Sequence, residues 1–223
     1  MFMRKTLNQI KHNPSPKELY DKLMLSEGWL YIRESTREQY LIRDRSLASL
    51  LYLGDFRISE VLPLTSNNFE ETIDYLWVKD VKVAKKKQGK LEYREAKLPY
   101  TGERACFTKL ITDYLTTLKP GQRLYPWSLK ITKTELKNWT YKVHGDNEPH
   151  NRFSIKMVGT VRAWQIVNAL LPEYTEHWLR AFGYNYDYDH MNHDIMAVSD
   201  KTKADPRSLQ PYLRRRYNQY PVR

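Results

Sequence analysis

The chain contains one cysteine, Cys106, among 223 residues. A lone thiol excludes an internal disulfide framework and any multi-cysteine metal site, and it fits a reducing compartment. Long apolar runs are missing too: the longest, Leu50 to Leu53, is too short to cross a bilayer. The N-terminal MFMRKTLNQIKHN has basic residues but no apolar run behind them, so it does not read as a secretory signal. A cytosolic protein with no membrane partner is expected. Internal repeats and low-complexity tracts are absent, and acidic residues are in deficit.

That deficit is the first positive clue. Against 26 Asp and Glu stand 37 Lys and Arg, a formal net charge of +11 and a pI near 9.5. Averaged over its surface, such a protein attracts polyanions such as nucleic acid or an acidic membrane face. With 41% hydrophobic and 13% aromatic residues, the chain buries a core as one large domain or one domain with a short appendage. It is not a disordered tail.

Residues 1–15 read as a flexible basic lead-in ending in Asn13-Pro14-Ser15-Pro16, and 16–223 as one domain. PKELYDKLMLSEGWL and STREQYLIRDRSLASLLYL space apolar residues three and four apart, which predicts helices, the second stopped by Gly54. The period then changes. TIDYLWVKDVKVAKKK and LEYREAKLPY alternate around Gln88-Gly89 and predict a basic β-hairpin with one face on the core. FTKLITDYLTTL places Phe107, Leu110, Ile111, Tyr114, Leu115 and Leu118 on one stripe of a helix ended by Lys119-Pro120-Gly121. TVRAWQIVNALL is a further helix, and Pro172 suits the first turn of the segment after it. HGDNEPHN, residues 144–151, reads as an exposed loop. The fold class is mainly α with a small antiparallel sheet.

Three short stretches could carry chemistry. In TEHWLRAFGY, His177 and Arg180 share a helix face and reach one small ligand, or else form a solvated face. In GDFRISE, Glu60 stands three residues after Arg57 and can orient its guanidinium toward an oxyanion, or the two form a surface ion pair. In KTKADPRSLQPYLRRR, Tyr212 is either an aromatic packed under a basic tail or a hydroxyl delivered to a phosphate. His190, His193 and Asp194 in DHMNHD invite a metal but lack a closing ligand, and read as a polar turn or helix face.

In order, these pieces resemble the tyrosine recombinase (phage integrase) catalytic domain. RDRSLASLLYLGDFRISEVLPL resembles its opening motif, the basic hairpin ending in KLPY the segment with its catalytic lysine, HWLR its HxLR motif, and ADPRSLQPYLR its closing segment. The likeness spans roughly residues 40–216 and implies that fold. It also implies site-specific strand cleavage and rejoining: Tyr212 attacks the phosphodiester to give a 3′-phosphotyrosyl link and a free 5′-hydroxyl. Arg57 and Arg180 clamp the non-bridging oxygens, with Glu60 in support. His177 bonds the phosphate and can take the tyrosine proton. A hairpin lysine protonates the leaving oxygen; upstream alignment favours Lys86, with Lys85, Lys87 and Lys90 within a register slip. No metal or other cofactor is required.

The implied partner is double-stranded DNA, held by a homotetramer that is monomeric or dimeric when free. Lys85, Lys87, Lys90, Arg207, Arg214 and Arg215 would contact its backbone. Three positions depart from the family. Lys203 stands where histidine or tryptophan is usual, and would donate to the phosphate as a mobile point charge. Ala181 replaces a second histidine, and residues 1–40 leave no room for the separate N-terminal DNA-clamping domain. Alternatives are a non-catalytic DNA-binding relative, a type IB topoisomerase-like relaxing enzyme, and an RNA-binding helical protein.

Overall fold

Ser15 opens the first helix, α1 (Pro16–Leu25), with a capping box: its hydroxyl accepts from the Glu18 amide at 3.2 Å while the Glu18 carboxylate accepts from the Ser15 amide at 2.7 Å. The computed structural model describes residues 13–28, 36–83, 92–125 and 155–217, without the side chains of 155–159, 161, 211 and 214–217. The expectations for residues 1–12, Lys85, Lys86, Lys87, Lys90, the Gln88-Gly89 turn and the 144–151 loop lie outside the described residues, as do the side chains of Arg214 and Arg215. Helix α1 is shorter than the periodic stretch suggested. Arg45 ties off its end by donating to the carbonyls of Leu23, Met24 and Ser26.

Helix α2 (Arg37–Leu53) is the axis of the core. From Ser46 to Leu53 every residue is buried, because α4 (Ala105–Leu115), α5 (Ile155–Leu170) and α6 (Glu176–His190) all pack on it. Gly54 follows as its C-cap, where a Cβ would fall 2.1 Å from the Phe56 ring. Arg104 donates to the Tyr52 and Leu53 carbonyls at 3.2 and 3.1 Å and so satisfies the end of α2 with a cation.

Asp44, buried in α2, is paired with Arg43 at 2.7 Å. Burial pushes its carboxyl up to about 6, the Arg43 charge offsetting only part of that. The unfolded chain therefore ionises first, and the stability this group contributes at low pH is lost as the pH rises through about 6. Relative to the parent, Asp44→Asn should gain on the order of 3 kcal/mol between about pH 3 and about pH 7. Urea unfolding of both proteins across that range checks this; parallel stability curves would refute it.

The two strands expected of the hairpin pair antiparallel, β2 (Tyr75–Lys82) with β3 (Tyr93–Pro99), and both alternate buried and exposed residues. A bulge between Val78 and Val81, with Asp80 at φ 55°, keeps both valines on the core. A third strand, β1 (Phe69–Glu71), pairs with β2 and was not anticipated, since three residues with two exposed glutamates carry no alternation signal. The short helix α3 (Ile58–Val61) precedes the sheet, and α7 (Ile195–Thr202) and α8 (Pro206–Tyr217) close the fold. Pro172 is not in the first turn of α6; it lies in an exposed turn, and Thr175 is the N-cap. The architecture is mainly α with a small antiparallel sheet, as expected.

Candidate active site

The site is built around the turn that joins α2 to α3. Asp55 there takes φ 52°, and its backbone carbonyl accepts from Arg180 Nε at 2.7 Å and from Arg94 Nη2 at 3.0 Å. Glu60, 1% exposed, accepts from the Arg57 amide and from Arg57 Nη1, each at 2.9 Å. Its second oxygen also accepts from Arg94 Nη2 at 3.0 Å. Three guanidiniums from three separate elements thus meet on one carboxylate and one carbonyl. Arg180 and Asp55 are 125 positions apart in sequence, so only the packing of α6 on α2 brings them together.

Their roles differ by exposure. Arg94 is buried and lies 4.4 Å over the Phe56 ring, which makes it internal support. Arg57 keeps 28% of its side chain exposed and Arg180 is half-buried, so both can meet a ligand. Burial lowers the proton affinity of Arg180, and the charges of Arg57 and Arg94 lower it further. A guanidinium stays protonated regardless. The repulsion is therefore not relieved by loss of a proton, and an anion placed there would offset it.

Tyr184, buried one turn along α6, lies 4.9 Å under Arg180. Burial pushes its phenol well up, and its hydroxyl has no hydrogen-bond partner among the described residues. Its ring centroid is 5.8 Å from that of Tyr212, which is half-buried where the two apolar clusters of the fold meet. Tyr212 is thus one aromatic ring away from the guanidinium cluster.

No protein-family model and no curated protein matches the sequence. Among solved structures, the chain is similar to the Tn1549 transposon integrase in complex with circular intermediate DNA, at 14% identity and a TM-score of 0.44, covering 92% of this chain and 61% of that one. A variant of that integrase with another circular intermediate DNA gives 14% identity, a TM-score of 0.43, and 92% and 62% coverage. This chain therefore spans less than two thirds of the integrase chains it matches.

The remaining sequence candidates fall around this cluster. His177 shares the α6 face with Arg180 but is 70% exposed, its described charged neighbour being Glu176 at 3.6 Å. Lys203 is the exposed left-handed C-cap of α7, at φ 53°, and no described contact joins it to the arginines. Arg207, in the first turn of α8, is 89% exposed and pairs with Asp205 at 3.2 Å. Arg214 and Arg215 are carried on α8. Ala181 is buried in the core. In the DHMNHD stretch, His190 lies 2.8 Å from the Tyr186 carbonyl, and Asp194 caps α7 by accepting from the Met196 and Ala197 amides.

Arg94, Tyr184 and Asp55 escaped the sequence reading. A signal existed for Arg94: it shares the inward face of β3 with Ala96 and Leu98, and a charge at an inward strand position needs a buried partner.

Proposed function

We propose that this chain cleaves and rejoins double-stranded DNA as a tyrosine-type site-specific recombinase. The guanidinium cluster carries this reading: three arginines gather on one carboxylate and one backbone carbonyl, two of them partly exposed, with Tyr212 one ring away. That excess positive charge matches an oxyanion whose negative charge grows in the transition state. A basic chain with net charge +11 supplies the wider attraction for a polyphosphate backbone.

In the proposed reaction Tyr212 Oη forms a bond to the scissile phosphorus while the bond to the 5′-oxygen breaks. The tyrosine proton passes to His177, and Lys86 of the hairpin protonates the leaving oxygen. Arg57 and Arg180 hold the non-bridging oxygens; Lys203 adds a further donor. Rejoining reverses these steps with another strand's 5′-hydroxyl, so the phosphodiester energy is kept without a nucleotide or metal cofactor. Exchange between two duplexes would be carried out by a tetramer.

The test is covalent trapping. Wild-type protein is incubated in EDTA with a library of nicked duplexes of random sequence, and SDS-resistant adducts are recovered and sequenced. Wild type should enrich a defined site in the adduct, and Tyr212→Phe should give none while retaining DNA in a gel shift. Retention without any wild-type adduct would support a binding protein that has lost the reaction. An adduct that persists in Tyr212→Phe would place the nucleophile elsewhere.

A further inference from the structure

Asp55 holds more than the arginines. It is fully buried, yet it occupies the left-handed region at φ 52°, a conformation that a residue with a Cβ rarely adopts. The adjacent Gly54 takes an ordinary φ of −93° instead. A side chain is therefore kept where glycine would be the relaxed choice.

That side chain looks into α6. Arg180, Gly183, Tyr184 and Asp187 form one stripe of the helix, and each meets the α2–α3 turn or its immediate surroundings. A Cβ at Gly183 would fall 2.0 Å from Asp55 Oδ1 and 2.4 Å from the Tyr52 carbonyl, so glycine is needed for the approach. One turn further, the Asp187 carboxylate lies beside the Asp55 carboxyl. Neither oxygen of Asp55 has a basic donor among the described residues, so the contact with Asp187 is attractive only while Asp55 keeps its proton.

The surroundings keep it there. Burial holds the Asp55 carboxyl well above the usual range, and the Asp187 charge adds to that. Burial also raises Asp187, but Lys201 and Arg104 outweigh it and hold Asp187 ionised. Arg104 Nη1 donates to Asp187 at 2.8 Å, and Lys201 Nζ donates to its other oxygen. Lys201 belongs to α7, which leads through Lys203 directly into α8 and Tyr212. A cavity of about 290 Å³ lies beside the group, lined by Gly54, Asp55, Arg94, Lys97, Lys201 and Thr202. This polar path joins the turn to α7 beside two other ties: Arg104, which links Asp187 to the end of α2, and the apolar cluster of Tyr184, Val198, Leu209 and Leu213 that seats α7 and α8 on α6.

We infer that Asp55 is a positioning residue that latches the Tyr212 segment to the arginine turn: its carbonyl orients Arg180, and its carboxyl, through Asp187 and Lys201, registers α7 and α8 against the same turn. This rests on the strand-exchange reading for its catalytic consequence, but the latch is a property of the free protein. Asp55→Gly relaxes the backbone and removes the carboxyl. Asp55→Asn keeps its size, tolerates positive φ and donates an N–H to Asp187 without ionising.

Amide hydrogen exchange on the free protein distinguishes these variants. In Asp55→Gly the amides of 195–213 should exchange at least ~10-fold faster while those of α2 keep their protection; Asp55→Asn should behave as wild type. In the trapping assay Asp55→Gly should lose at least ~10-fold in adduct formation with DNA retention unchanged, restored in Asp55→Asn. Unchanged exchange at 195–213 in Asp55→Gly overturns the latch. Equal loosening of α2 also overturns it, by making Asp55 a general stabiliser. Absence of a wild-type adduct would count against strand exchange and leave the exchange pattern to decide the latch.

Discussion

On the proposed strand-cleavage reaction, Arg180→Lys should reduce covalent adduct formation by ~10²–10³-fold while DNA retention changes only a few-fold. The charge is preserved, so the long-range attraction of a +11 chain is hardly altered. Geometry is not preserved. Arg180 spends Nε on the Asp55 carbonyl at 2.7 Å and keeps its outer nitrogens for a ligand, a division that a planar fork permits. A lysine has one ammonium: bound to the carbonyl it is withdrawn from the phosphate, and bound to the phosphate it leaves the carbonyl to Arg94 alone. Single-turnover trapping beside a gel shift measures both quantities. Adduct formation within a few-fold of wild type would show that the arginine acts as a simple point charge.

Glu60→Gln should be the most damaging conservative change for stability, on the order of 3 kcal/mol. Glu60 is the carboxylate on which Arg57 and Arg94 converge, and Arg94 has a side-chain exposure of 2%. An amide keeps the volume and can accept from one guanidinium, but it supplies no counter-charge to a cation that has lost its water. Two mutually repelling guanidiniums then share a neutral group, with Arg180 close by on the Asp55 carbonyl. For a chain of this size the loss corresponds to a drop in Tm of roughly 10 °C. Adding Arg94→Met should recover part of it, because the orphaned buried charge is then removed as well. Thermal unfolding of both variants decides the matter. A Tm unchanged in Glu60→Gln would mean that the Asp55 carbonyl alone satisfies Arg94.

How far these features were legible depended on the range of the interaction. Arg57 with Glu60, and His177 with Arg180, stand three apart, and helical geometry puts such pairs on one face whatever the rest of the chain does. Tyr212 could be singled out only through its neighbours and its place after the HWLR motif. Arg94 was visible as a strand residue but not as the third guanidinium, because nothing within its own strand names Glu60, 34 positions away. The family resemblance implied Lys203 as a phosphate donor, whereas Lys201, which is bound to Asp187 in the described charge network, carried no signal in the sequence.

The sequence by itself determined helices α1, α2, α4, α5 and α6, the two strands of the hairpin, the basic balance and the two polar pairs, because apolar period, caps and turn residues act over one or two turns of chain. Tertiary structure alone decided which charges lose their water. Asp55, Asp187, Arg94 and Arg104 are buried because α6 closes on the end of α2 and the sheet covers the turn between them. Desolvation is set by whatever packs over a group, and here it comes from segments tens to more than a hundred positions away.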